Sequence, residues 1–348
     1  MKKTKLLLYG FLMLFLLIAA TRYLVRIPSY TIKTNGKLYI VSKISRNIKV
    51  FDLLTGKEVA EIPIDLESHE AVALSGQNKI VVTNYGTVDR DGNRIKVINT
   101  QTNKVEKTID LKGSIKSNGI VALPESNKVA VIDYVTNNLL ILNIKTATIE
   151  KQIQTQQQES LLLVVHPNKA IAYVTNVKSN SVSVIDLNKN EVIKIIPCGL
   201  GTESIAITPD GSEIWITNIK ANSITIINTT TYAVIATLRT GEEPLKLKFS
   251  VDGKYCLVAN AGDGTISVYN QNSKNKIKTI HIHGKATMLE RILYHTPVPV
   301  NILMHPNGLY AFIANSNANK VEVIDMKNFT IVSTIGTGKI PDAMVFVQ

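Results

Sequence analysis

Tyr173-Val174-Thr175-Asn176, followed by Ser181-Val182-Ser183-Val184-Ile185-Asp186, is the stretch that decides how this chain folds. It returns as Trp215-Ile216-Thr217-Asn218 before Ser223-Ile224-Thr225-Ile226-Ile227-Asn228, and as Leu257-Val258-Ala259-Asn260 before Thr265-Ile266-Ser267-Val268-Tyr269-Asn270. The closing asparagines Asn176, Asn218 and Asn260 stand 42 residues apart. A fixed period of this length marks one supersecondary unit copied along the chain. The alternation of apolar and polar residues inside each run assigns the runs to half-buried strands.

Aligned on that asparagine, the chain contains seven units, marked by Ser42, Asn84, Asp133, Asn176, Asn218, Asn260 and Asn315. The strand after each mark closes on Asp52, Asn99, Asn143, Asp186, Asn228, Asn270 or Asp325. An Asx side chain accepts hydrogen bonds from backbone two residues on and so reverses the chain. Before each marked strand lies another apolar run and a tight turn, as in Ser204-Ile205-Ala206-Ile207-Thr208 running into Pro209-Asp210-Gly211. Each unit is therefore four short antiparallel strands, here a, b, c and d in chain order. Seven such sheets arranged radially make an all-β, seven-bladed β-propeller. The chain carries one a-type strand too many at its end, Ala343-Met344-Val345-Phe346-Val347, which is expected to join the strands beginning near Leu38 and close the ring. The short run 29–32 is then left over or competes for that place.

The Gly-His with Trp-Asp signature of WD40 repeats and the Gly pairs of kelch repeats are missing. The Tyr-Val-Thr-Asn phrase, the Ser-Val-Ser-Val-Ile-Asp strand and the Pro-Asp-Gly turn resemble the YVTN family of seven-bladed propeller repeats. The resemblance covers about residues 29–348 and departs from the pattern at Ser42, Asp133 and the turn Gly76-Gln77-Asn78. It implies an exported or cell-surface protein whose distant relatives include lactonase-like and cytochrome-d1-like propellers.

Residues 1–27 read as a signal peptide or membrane anchor helix and residues 28–348 as the propeller. Lys2-Lys3-Thr4-Lys5 leads into the apolar run 6–20. As a helix that run would span about 22 Å, short of the roughly 30 Å hydrocarbon core. Tyr23-Leu24-Val25 could extend it past Arg22, so cleaved signal and uncleaved anchor both stand, with membrane contact confined to residues 6–25. Either reading exports the rest, to the periplasm, the cell surface or a membrane-anchored extracytoplasmic position. The formal charge is +12; without Lys2, Lys3, Lys5, Arg22 and Arg26, 34 basic residues face 27 acidic ones. That balance permits an acidic partner without demanding one.

Cys198 and Cys256 fall two units apart in the frame, beyond the roughly 7 Å reach of a disulfide, so both are expected as free thiols. The absence of CxxC and CxxCH excludes zinc-ribbon, redox-dithiol and covalent-haem classes. GxSxG, Walker A and HExxH are also missing.

In such blades the b–c and d–a connections emerge on one face and the a–b and c–d turns on the other. The two long connections, 85–94 and 284–298, both belong to the first face, which is taken as the binding face. The second has the spacing of a short helix carrying Met288, Leu289, Ile292 and Leu293 on one side. The run Asp89-Arg90-Asp91-Gly92 resembles the start of a calcium loop but lacks the required Gly and Glu, so a hairpin explains it better. No cofactor is predicted, but three groups of residues could hold a ligand. Glu70, Glu203 and Asp342, at the starts of inner strands, suit a divalent cation or a cationic group. His281 and His283, with His295 or Glu290, could ligate a zinc-type metal. Lys43, Arg46, Arg90, Arg94, Lys178, Lys220 and Lys320 form a basic rim for a polyanion, single-stranded nucleic acid or acidic glycan, though Tyr85 is its one obvious stacking platform. His166 and His305 precede a–b turns and read as structural. The leading expectation is a monomeric, non-catalytic exported scaffold that binds a protein or polyanionic ligand on the insertion-bearing face. The alternatives are a dedicated polyanion-binding module and a lactonase-like hydrolase with a metal at the central mouth.

Overall fold

A computed structural model describes residues 13–14, 30–64, 67–87, 90–113, 116–124, 127–283 and 297–348. The expected signal or anchor and the short helix in the 284–298 connection therefore lie almost wholly outside the described residues. The remainder forms seven four-stranded antiparallel sheets. Six are consecutive in the chain, and the seventh has the order Lys57–Pro63, Asn47–Asp52, Lys37–Ser42, Pro341–Val347. The C-terminal strand thus takes the inner place of blade 1, with Leu38 opposite Phe346 and Ile40 opposite Met344, as the strand count requires. The described part of the 29–32 run, from Tyr30 on, does not take that place. Thr31 instead donates its N–H to Ser333 Oγ at 2.9 Å, and Thr34 donates to the Leu53 carbonyl at 3.3 Å. The segment straps blade 7 to blade 1 beside the closure.

Buried apolar side chains gather into layers between successive blades. Tyr173, Val182 and Val184 of blade 4 pack on Ile205, Ile214 and Ile216 of blade 5, and Phe312, Val321 and Val323 of blade 7 pack on Leu38, Ile40 and Met344 of blade 1. Among the described residues there are seven such layers, one for every junction including the last to the first. Burying one Val, Leu or Ile stabilises by about 1.5–3 kcal/mol, against about 1 kcal/mol for a typical hydrogen bond. The layers therefore drive assembly, and the polar repeat residues set its register.

That role is visible in the motif asparagine. Asn176, wholly buried, donates to Ser183 Oγ at 3.0 Å and to Ser181 Oγ at 3.3 Å; Asn218 and Asn260 make the matching pairs with Ser223 and Thr225 and with Thr265 and Ser267. The asparagine clamps the end of strand b to the start of strand c. All seven closing Asx residues accept backbone N–H groups from the following turn, for example Asp186 from Asn188 at 2.9 Å and Lys189 at 3.0 Å. His166 Nδ1 and His305 Nδ1 accept the N–H groups of Asn168 and Asn307, so both histidines serve their turns. Cys198 and Cys256 are free. Gly86–Thr87 pairs with Arg90–Asp91 as a short hairpin, which accounts for the calcium-like run.

Candidate functional site at the channel mouth

In six of the seven blades the inner strand begins opposite the motif residue, as Ser160 does opposite Asn176 and Thr202 opposite Asn218; in blade 2 it begins later, with Ala71 opposite Val82. The residue before it turns left-handed at Glu159, Gly201, Glu243 and Ile340, with φ between 50° and 72°. Its carbonyl accepts the N–H of the residue after the motif Asn, as Glu159 does from Val177 at 2.9 Å. The same geometry places Lys116 against Tyr134 and Glu67 against Tyr85. The repeat thereby delivers a fixed set of side chains to the rim of the channel on the face of the b–c and d–a connections. The motif threonine contributes as well: Thr175 donates its hydroxyl to the Glu203 carbonyl of the next blade at 2.8 Å.

Around that rim the side chains form a connected chain. Asp342 Oδ2 lies 2.9 Å from His69 Nδ1. The His69 ring meets Tyr85 edge-on with centroids 4.9 Å apart, and Tyr85 lies 5.9 Å from Tyr134. Lys116 places its ammonium 5.3 Å above the Tyr85 ring. Burial raises both phenols, and the negative charge of Glu159 raises them further. Glu203 faces the same corner. Burial pushes its carboxyl up to about 7, the Lys246 ammonium partly offsets this, and Glu159 adds to it. Glu70 pairs with Lys246 across the channel, from blade 2 to blade 6. Glu70, Glu159 and Asp342, with Glu203 raised to about 7, thus stand beside the ammonium groups of Lys116 and Lys246 at the mouth of a chain whose formal charge is +12.

The three acids named from sequence lie at this mouth but are drawn to different partners, Glu70 to Lys246 and Asp342 to His69, while Glu203 stands near Glu159. Among the described residues no three His, Cys, Asp or Glu side chains gather closely enough to hold a metal ion. His281 ends an exposed outer strand; His283 lies past it, 4.0 Å from the buried Glu322; His295 and Glu290 fall outside the described residues.

The basic rim is thinner than its sequence positions imply. Lys320 is a correction: it is buried at the start of strand c of blade 7, 2.6 Å from Glu322, because Lys-Val-Glu stands there in place of the paired hydroxyl residues of blades 4, 5 and 6. Burial raises the Glu322 carboxyl and Lys320 opposes that shift. Lys43 lies 3.8 Å from Glu67. Arg46, Arg94, Lys178 and Lys220 are exposed, and the side chain of Arg90 is outside the described residues. Tyr134, Glu159, Lys116 and Lys246 were not singled out from sequence. Their repeat positions carried the signal, since each sits where Tyr85, Gly201 or Ser204 sits in another blade.

This arrangement defines a β-propeller with a chemically mixed central mouth. Residues 25–281 match the model of the family described as lactonase, 7-bladed beta-propeller, and the chain belongs to that family. No curated protein matches it. Among solved structures it is similar to a functionally unknown protein from Desulfotomaculum acetoxidans, at TM-score 0.73 and 17% identity over 90% of this chain and 99% of that one. It is also similar to hydrazine synthase from Kuenenia stuttgartiensis, at TM-score 0.69 and 15% identity over 79% of this chain and 88% of that one. Likeness at such identities speaks to the fold alone.

Proposed function

We propose that this is an exported, non-catalytic binding propeller of YVTN type that takes a cationic group of its partner at the central mouth of the insertion-bearing face. The Tyr85–Tyr134 corner carries the reading: two rings 5.9 Å apart, overlooked by Glu159 and Glu203, where the chain's own Lys116 lays an ammonium on Tyr85. An aromatic face attracts a cation by about 0.5–2 kcal/mol, more as water is excluded, and the surplus carboxylates add to it. The same surplus opposes a polyanion at the mouth, and burial of Lys320 removes one member of its outer rim. Calorimetric titration with spermidine tests the proposal. Affinity should fall at least tenfold in Tyr134→Ala and in Glu203→Gln, and should rise in Lys116→Met, which vacates the corner. No binding, or equal affinities in all four proteins, would refute it.

A second reading is favoured by Glu203 itself. A carboxyl that titrates near neutral pH suits a general base, and the neighbouring Lys246 ammonium could stabilise an oxyanion. In a family described by lactonase activity, this points to water attack on a ring ester. Hydrolysis of δ-gluconolactone above the buffer rate, abolished in Glu203→Gln, would support it; a rate equal to buffer would remove it.

A further inference from the structure

Below the Glu70–Lys246 bridge the channel holds a cavity of about 660 Å³ whose lining extends to Pro209, Val251 and Pro306 at the a–b turns. None of the rim residues His69, Glu203 or Asp342 lines it, so the bridge divides the mouth from a second space nearer the opposite face. The walls are mainly aliphatic and aromatic, among them Val72, Leu162, Ile207, Leu303 and Phe346. The charged groups that line it are Glu70, Lys246 and Lys248 alone among the described residues. Lys246 and Lys248 alternate along one inner strand, Pro244–Phe249, and so share its channel face. Lys246 spends its charge on Glu70. Lys248 has no carboxylate partner among the described residues, and the carboxylate nearest in charge terms, Glu70, is already engaged.

Lys248 is exposed into this space rather than packed away, and an anion that brings an apolar body would exclude water from the ammonium and strengthen the pairing. Partial loss of hydration between these walls and the like charge of Lys246 both lower the Lys248 pKa, and Glu70 opposes them. A volume between about 300 and 1,000 Å³, mostly apolar with one or two placed polar groups, is the usual form of a small-molecule site. We propose that the lower channel is a second binding site, for a monocarboxylate with an apolar body, whose carboxylate pairs with Lys248 while its body fills the space among Val72, Leu162, Leu303 and Phe346. The site is separate from the mouth and rests on neither reading of it.

The test uses the full chain with decanoate, decanol and decylamine as probes, read by calorimetry and by shift in melting temperature. Decanoate should bind the wild type at least tenfold more tightly than decanol or decylamine. Lys248→Met should lose that preference, Lys248→Arg should keep it within about threefold, and Lys194→Gln, on an exposed outer strand, should leave it unchanged. Equal binding of decanoate to the wild type and Lys248→Met, or no decanoate binding at millimolar concentration, would overturn the proposal. Should Lys248→Met fail to fold, the comparison of Lys248→Arg with Lys248→Gln decides it in the same way.

Discussion

Glu70 of blade 2 and Lys246 of blade 6 pair across the central channel although 176 residues separate them in the chain. The pair is mostly shielded, with side-chain exposures of 18% and 19%. Removing one partner of such a pair leaves the other uncompensated, whereas removing both can be nearly neutral. Glu70→Gln and Lys246→Met should each destabilise by about 1–3 kcal/mol, Glu70→Gln more because it also leaves Lys246 and Lys248 as unopposed like charges. The double variant should recover most of the loss. Urea unfolding of the four proteins measures the coupling, and strict additivity would show that the bridge contributes nothing.

Glu203 gives a pH signature. Its carboxyl is raised from the ordinary carboxylate range to about 7 in the folded protein, so the folded state holds a proton that the unfolded state has lost. Below the unfolded pKa, near 4.3, the two states bind the same proton and Glu203→Gln should match the wild type. As pH rises from there through about 7 the wild type should lose stability relative to Glu203→Gln, by about 1–3 kcal/mol, and the difference should then level off. Melting temperatures of both proteins from pH 4 to pH 9 would show it, and parallel curves would count against the raised carboxyl.

The asparagine clamp predicts a stability loss that follows the pattern of the repeat. Asn218→Ala removes hydrogen bonds to Ser223, Thr225 and the Gly199 N–H, all in a buried site. The expected cost is about 2–4 kcal/mol, since each stranded buried polar group costs about 1–3 kcal/mol. At blade 1, Ser42 occupies the same position and its Oγ has no hydrogen-bond partner among the described residues, so Ser42→Ala should be nearly neutral. Denaturant unfolding that ranked the two variants equally would contradict the clamp.

The thiols should be inert in the native protein. Burial pushes Cys198 up to about 12, and Cys256, wholly buried, is raised further by the same cause. The thiolate is the reactive form, so DTNB at pH 8 should label neither cysteine until denaturant unfolds the chain, and then both. Rapid labelling of the folded protein would show that the half-buried Cys198 is open to the reagent, and labelling of both would show that the blade 5–blade 6 layer around Cys256 opens as well.

How much of this was legible in the sequence depends on whether the information was periodic. The blade number, the closing strand at Pro341–Val347, the seven Asx turns and the free cysteines all follow from positions that recur in register, because repetition filters local noise. The starts of the inner strands followed as well, which brought Glu70, Glu203 and Asp342 to the mouth. What could not be read was which side chains meet across the ring. The Glu70–Lys246 and His69–Asp342 pairs join residues from different blades, and their choice depends on channel width and side-chain reach. Lys320 was misread for a related reason: a lysine beside a loop looks exposed unless its neighbour Glu322 is seen to be buried. The Lys246-x-Lys248 alternation was visible, but only the closed ring turns that strand face into the lining of a cavity.

A crystal structure of the full chain grown with spermidine tests the mouth as a cation site most directly. The account predicts an ammonium nitrogen within about 6 Å of the Tyr85 or Tyr134 ring, hydrogen-bonded to Glu159 or Glu203, with Lys116 displaced from the ring it covers. Spermidine seated elsewhere on the ring, with Lys116 still over Tyr85 and the mouth empty, would contradict it.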